Sequence, residues 1–196
     1  MIEIMPAARL GEGYRRAVTE VFIDGFGTDL AYFSDDPGKL VDALAHMLVL
    51  DVFHVGLIDG QPASIVALTD GGQLSVRHDG AVLRKHLGLI KGTIADVMFK
   101  KEFQKAFVPP RPRMASLEFV STAHRFRGRG AASAVLRHLL ALPQYDEYVL
   151  EDISDINAPA LHLYKKLGFT EYKRKKVNHT KRTGINFYVS MHLSQV

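Results

Sequence analysis

Apolar residues recur along the chain in two periods, and the alternation of those periods divides it into elements. Ile2–Met5 reads as a short first strand. Over Gly13–Phe26, Val18, Val21, Phe22 and Phe26 fall on one helical stripe, which predicts a helix. Asp35, Asp36 and Pro37 place acids and a proline where helix starts prefer them, so a second helix is expected over Gly38–Leu48. Two β-rich runs follow, Val52–Ile58 and Ala63–Leu68, joined by Asp59-Gly60-Gln61-Pro62. Asp-Gly between apolar runs signals a hairpin.

Between Asp70 and Arg113 the regular pattern gives way. Helical stretches are expected around Gly80–Leu87 and Ile94–Gln104, then a turn at Val108-Pro109-Pro110-Arg111-Pro112. The segment reads as an insertion that caps one end of the fold. The pattern then resumes with a strand at Ser116–Thr122, a loop at Ala123–Gly130 and a helix at Ala131–Leu142 stopped by Pro143. A strand at Tyr148–Ile153 leads to a helix at Ala158–Leu167, closed by Gly168 at its C′ position, and strands at Phe169–Tyr172 and Ile185–Leu193 end the chain. The expected order is β-α-α-β-β, insertion, β-α-β-α-β-β.

Composition narrows the chemistry. The 196 residues are 47% apolar and contain no cysteine, which describes one domain able to bury a core without staples. The absence of cysteine excludes a disulfide scaffold, a thiolate zinc site, an iron–sulfur cluster and a cysteine nucleophile, and no metal centre is expected. The opening segment MIEIMPAARL carries Glu3 and no apolar run of the secretory type, and the apolar stretch Leu44–Ile58 is interrupted by His46, Asp51 and His54. A cytoplasmic chain that does not enter the membrane is the expectation.

The densest chemical signal is the strand–AHRFRGRGAA–helix junction. Gly128 and Gly130 leave the backbone bare, so that successive N–H groups can face an anion at the positive end of a new helix, and Arg125, Arg127 and Arg129 add charge. The arrangement is a phosphate cradle. It lacks the Gly-Lys-Ser/Thr ending of a nucleotide-hydrolysing P-loop. A dinucleotide fingerprint would read Gly128, Gly130 and Ser133, with Glu151 or Asp152 for a ribose. Against it, serine replaces the third glycine and Ala123–Arg127 intervenes between strand and glycines.

The segment Arg127-Gly128-Arg129-Gly130-Ala131-Ala132 resembles the Arg/Gln-x-x-Gly-x-Gly/Ala signature of the GCN5-related N-acetyltransferase (GNAT) superfamily. Downstream, Asn157-Ala158-Pro159-Ala160-Leu161-His162-Leu163-Tyr164-Lys165-Lys166-Leu167-Gly168-Phe169 is similar to that family's second signature, Asn-x-x-Ala-x-x-Leu-Tyr-x-x-x-Gly-Phe. The resemblance implies an α/β fold with a mixed, mostly antiparallel sheet, helices on both faces, and a splay between the fourth and fifth strands. It implies acetyl-CoA as co-substrate, with pyrophosphate on the amides of residues 127–132 and pantetheine lying along the main chain of Val120, Ser121 and Thr122. Asn157 is assigned to the cofactor side, or to capping its helix. Tyr164 would protonate the leaving thiolate, although its spacing from Leu161 and Leu167 also suits a core aromatic.

The general base is sought on the strand Ser116–Thr122. Strict alternation places Ser116, Glu118, Val120 and Thr122 on one face and Leu117, Phe119 and Ser121 on the other. A carboxylate among apolar neighbours is costly unless paired or functional, and Glu118 is the candidate. Ser116 stands where some relatives carry a glutamate, and His124 or an ordered water are the alternatives. With no cysteine to carry an acetyl group, direct transfer to a primary amine in a ternary complex is the expected route. The rival class is a non-catalytic CoA-binding or basic nucleic-acid-binding module, resting on the cations of Lys165–Arg182. Aromatics do not interleave with those cations, so nucleic acid is not the expected partner. The amine acceptor is expected to be a small molecule or a peptide, met in a pocket for which the insertion forms a lid or wall, with an oligomer contact as the insertion's alternative role, and a homodimer is compatible with the sequence.

Overall fold

The structure is a computed structural model and describes residues 1–103, 106, 109–178 and 184–195. The chain order is β1 (Ile2–Pro6), α1 (Ala7–Leu10), α2 (Arg15–Leu30), α3 (Pro37–Leu44), β2 (Phe53–Ile58), β3 (Gln61–Thr69), α4 (Gly80–Leu87) and α5 (Leu89–Phe103). It continues with β4 (Met114–Thr122), α6 (Ala131–Leu140), β5 (Glu147–Ser154), α7 (Ala158–Lys166), β6 (Thr170–Lys176) and β7 (Phe187–Ser194). Gln104 and Val108, at the expected end of α5 and in the expected turn, lie outside the described residues.

Local chemistry accounts for the element ends. Asp36 caps α3, its Oδ1 accepting from the amides of Gly38 at 2.8 Å and Lys39 at 3.3 Å, with Pro37 in the first turn. Instead of running on to Leu48, α3 tightens after Leu44 into a 3₁₀ turn over Ala45–Met47. The β2–β3 hairpin turns on two residues, Asp59 and Gly60, both with positive φ, so Gln61 and Pro62 belong to the strand rather than to the turn. At the end of α7 the amide of Phe169 reaches the carbonyl of Tyr164 and that of Gly168 the carbonyl of Lys165, both at 3.0 Å, which is the Schellman closure expected of Gly168. α2 overruns its expected stop at Phe26 by a turn. Gly25 does not break it, because that position faces the sheet at a distance that excludes a side chain: a Cβ there would lie 2.3 Å from Ser121 Oγ.

Among the described residues seven strands form one sheet, in the order β1-β2-β3-β4-β5-β7-β6. Every neighbouring pair is antiparallel except β4 and β5. α2 packs on β3 and β4, while α6 packs on β1, β2 and β3. The buried residues divide accordingly. Val18, Val21 and Phe22 share one cluster with Phe53, Val55, Ile65 and Ala67, whereas Val66 and Leu68 join Val135, Leu136, Leu139 and Tyr164 in another. The alternation along β3 thus feeds two cores on opposite faces of the sheet.

The segment between β3 and β4 is built into the first of these cores. Val76, Leu83, Leu87, Ala95 and Phe99 are buried in the same cluster as the α2 residues. α4 and α5 pack closely on each other, and α4 also packs on α3. Among the described residues no helix is long and apolar enough to cross a membrane.

Candidate active site

β4 and β5 run side by side for only three residue pairs, from Met114 opposite Glu147 to Ser116 opposite Val149, and then part. Each strand bends where it leaves its partner. β4 carries one extra residue against β3 between the Ala67–Glu118 and Ile65–Ser121 pairs, and Phe119 within it has φ +51°. β5 does the same against β7 between Leu150 and Ile153, and there Asp152 has φ +51°. Positive φ costs a non-glycine residue about 1–2 kcal/mol, so packing must hold it in place. Phe119 is held by rings on several sides, with centroids 5.3 Å from Phe22, 5.6 Å from Phe26 and 5.6 Å from Phe103. The splay is therefore a built feature, a bulge on each bank.

The bulge overturns the alternation expected on β4. With one residue inserted, Glu118 and Ser121 both come to the α2 face, opposite Ala67 and Ile65, while Leu117 and Val120 pack with the α6 core. Ser121 Oγ donates to the carbonyl of Val21 in α2 at 2.6 Å, and its own carbonyl accepts from Ser64 Oγ at 2.6 Å. Thr122 pairs with Ser64, to which its hydroxyl donates at 3.3 Å. Glu118 and Val120, expected on one face, lie on opposite ones.

Glu118 is 7% exposed. Thr69 Oγ1 donates to its Oε1 and Ser75 Oγ to its Oε2, each at 2.5 Å. Burial pushes the carboxyl above its ordinary value, and the hydroxyl donors act against that push. Neither donor was singled out in the sequence. The one trace of Thr69 there is a polar residue closing an otherwise apolar strand; Ser75, inside Gly-Gly-Gln-Leu-Ser, leaves none.

The glycine segment lies at the end of the splay where β4 leads into α6. After β4 the chain makes a 3₁₀ turn over His124–Phe126, anchored to α2 by the His124 amide donating to Asp24 Oδ2 at 2.9 Å. Gly128 and Gly130 have φ of +74° and +79°, a region that only glycine enters at little cost, and a Cβ at either would meet nothing within 4 Å. Gly130 is the N-cap of α6 and offers no side chain to the first amides of the helix. Open space, bare backbone and a helix N-terminus coincide here, beginning at Ala131 and Ala132. Arg127 spends one N–H on the carbonyl of Asp24 at 2.9 Å, while Arg125 and Arg129 stand over the ring of Phe126 at 5.0 and 5.5 Å. His124 is exposed on the turn, away from the network around Glu118.

On α7, Tyr164 is 5% exposed beside Phe169, with ring centroids 6.2 Å apart. Its hydroxyl makes no hydrogen bond to another described side chain, and burial raises its pKa. Asn157 caps α7, its Oδ1 accepting the amide of Ala160 at 3.3 Å.

The sequence model of the Acetyltransferase (GNAT) family matches residues 85–169, a span that contains the bulged strand, the glycine cradle and Tyr164. Over these residues the chain is similar to the GNAT family. No curated protein sequence matches this chain. Solved structures do. A histone acetyltransferase HPA2 and related acetyltransferase from Corynebacterium glutamicum is 20% identical, with a TM-score of 0.63 over 100% of this chain and 97% of the other. An N-acetyltransferase from Staphylococcus aureus is 16% identical, with a TM-score of 0.60 over 97% and 100%. The ribosomal-protein-S18-alanine N-acetyltransferase of Escherichia coli is 14% identical, with a TM-score of 0.57 over 99% and 94%. At these identities the likeness is one of fold, and the mixed sheet with its parallel β4–β5 pair is that fold.

Proposed function

We propose that this chain, as a single acetyltransferase domain, moves the acetyl group of acetyl-CoA directly to a primary amine. The observation that carries the reading is the splay, with a phosphate cradle at its end and a buried carboxylate on its β4 bank. The residues present fit acetyl-CoA. The first amides of α6, next to glycines with no obstruction within 4 Å, suit a pyrophosphate, and the β5-facing edge of β4 beyond Ser116, paired with no strand among the described residues, suits the amide groups of pantetheine. The thioester supplies the electrophile. Glu118 takes the proton of the attacking amine, and its raised pKa makes it a stronger base than an exposed carboxylate. Tyr164, neutral at any working pH and with its hydroxyl uncommitted, gives a proton to the departing thiolate. Arg127, tied to Asp24, fixes the cradle against α2.

The nucleic-acid reading has less support among the cations of β6 than their number suggests. Lys173 pairs with Glu151 at 3.3 Å and Arg174 with Glu171 at 2.7 Å, so half of that strand's four positive charges are already partnered. Lys181 and Arg182 lie outside the described residues. Acetyl-CoA binding is tested by thermal shift. We expect acetyl-CoA to raise the Tm of the wild type and to leave Gly130→Glu, which puts a carboxylate into the cradle, unmoved. A variant stabilised as strongly as the wild type would remove the cradle from the site.

A further inference from the structure

Both oxygens of Glu118 are engaged, and the two donors differ in origin. Thr69 ends β3, within the sheet, whereas Ser75 belongs to the segment between β3 and α4. That segment covers the carboxylate. Gln73, Leu74, Ser75 and Val76 line a partly open cleft over it together with Phe103 and Ala106, and the cleft leaves no room for a water molecule. Glu118 is therefore covered by the same segment that hydrogen-bonds it.

We infer that Ser75 is a positioning residue, which holds Glu118 as an ionised, correctly aimed base when the segment Gln73–Val76 is seated on the sheet. This rests on the reading of Glu118 as the general base. An acceptor must lift the segment to enter, and reseating over a bound amine restores the Ser75 bond when the proton is to be taken. Each carboxylate oxygen keeps a lone pair after accepting one hydroxyl, so Ser75 orients the base without blocking it. An amine too large for the segment to close over would face a base without its donor. The inserted segment thereby ties acceptor size to the state of the base.

The electrostatics around Glu118 are simple enough to make this measurable. Burial favours the protonated form, and the hydroxyls of Ser75 and Thr69, both hydrogen-bonded to the carboxylate, oppose it. No charged side chain of α2, β3, β4 or the inserted segment enters the balance among the described residues. Removing Ser75 leaves burial less opposed, and the carboxyl then keeps its proton to higher pH.

The test is a ¹³C NMR titration of the full chain labelled at glutamate Cδ, with the Glu118 signal assigned by its absence in Glu118→Gln. Ser75→Ala is expected to move the titration of that signal to higher pH, and Ser75→Thr to leave it as in the wild type. If Ser75→Ala does not fold, Ser75→Cys, a weak donor of similar volume, is titrated in its place. In parallel, thiol release from acetyl-CoA is followed with ethanolamine, benzylamine, lysine and the dipeptide Ala-Ala as acceptors. For Ser75→Ala, kcat/KM should fall roughly tenfold at the acid end of the profile and less than about twofold at the alkaline end. A Glu118 titration in Ser75→Ala that superimposes on the wild type overturns the inference, whatever the turnover. Full turnover by Glu118→Gln overturns instead the reading of Glu118 as base.

Discussion

Glu118 carries a cost that its hydroxyl partners only partly offset. Its folded pKa is raised above the ordinary 4.5, with burial as the largest cause, so the folded state holds the proton more tightly than the unfolded chain. The stability linked to this group is fully present below pH 4.5 and is lost as the pH rises through the raised folded value. Glu118→Gln has no such loss. Its Tm relative to the wild type should therefore increase as the pH is raised from 4 towards neutrality, and a difference that stays constant with pH would contradict the shift. At this scale the sequence was most informative where chemistry is carried by residue type. Glu118 stood out as an acid among apolar neighbours, and Gly128 and Gly130 as bare backbone at a helix start. It was silent on Thr69 and Ser75, because a hydroxyl donor is defined by where a distant segment folds back.

Among the elements, β4 decides the site and was the one misread in detail. Its existence and approximate span follow from composition, but a period of two cannot reveal an inserted residue, and one inserted residue moves every later side chain to the other face. The bulge depends on Phe22, Phe26 and Phe103 from helices remote in sequence. It also depends on the close approach of α2 at Gly25, where Ser121 meets the helix backbone. Gly25→Ala forces Ser121 Oγ off the Val21 carbonyl and is expected to destabilise the fold by about 1–3 kcal/mol, read by urea unfolding. An unchanged midpoint would mean that α2 does not pin β4 there. Elements governed by local signals fared better: the Asp36 cap, the Asp59-Gly60 turn and the Gly168 closure all sit where the sequence places them.

Over the whole molecule, the sheet order, the parallel β4–β5 pair and helices on both faces agree with the α/β architecture inferred from two short signatures. The inserted segment was the least legible part. Its helices could be placed, yet nothing in their pattern says that Leu83, Ala95 and Phe99 share a core with α2, or that the loop before them closes over Glu118. The basic surplus, net +4, takes on a narrower meaning once Lys173 and Arg174 are paired. The central claim, direct acetyl transfer in this splay with Glu118 and Tyr164 as base and acid, is tested most directly by thiol release from acetyl-CoA across the amine panel. The wild type should release thiol only when an accepted amine is present, Glu118→Gln should be slower by about 10²–10⁴ and Tyr164→Phe also slowed, with acetyl-CoA still raising the Tm of both variants. Amine-dependent release at the wild-type rate in both variants would contradict it.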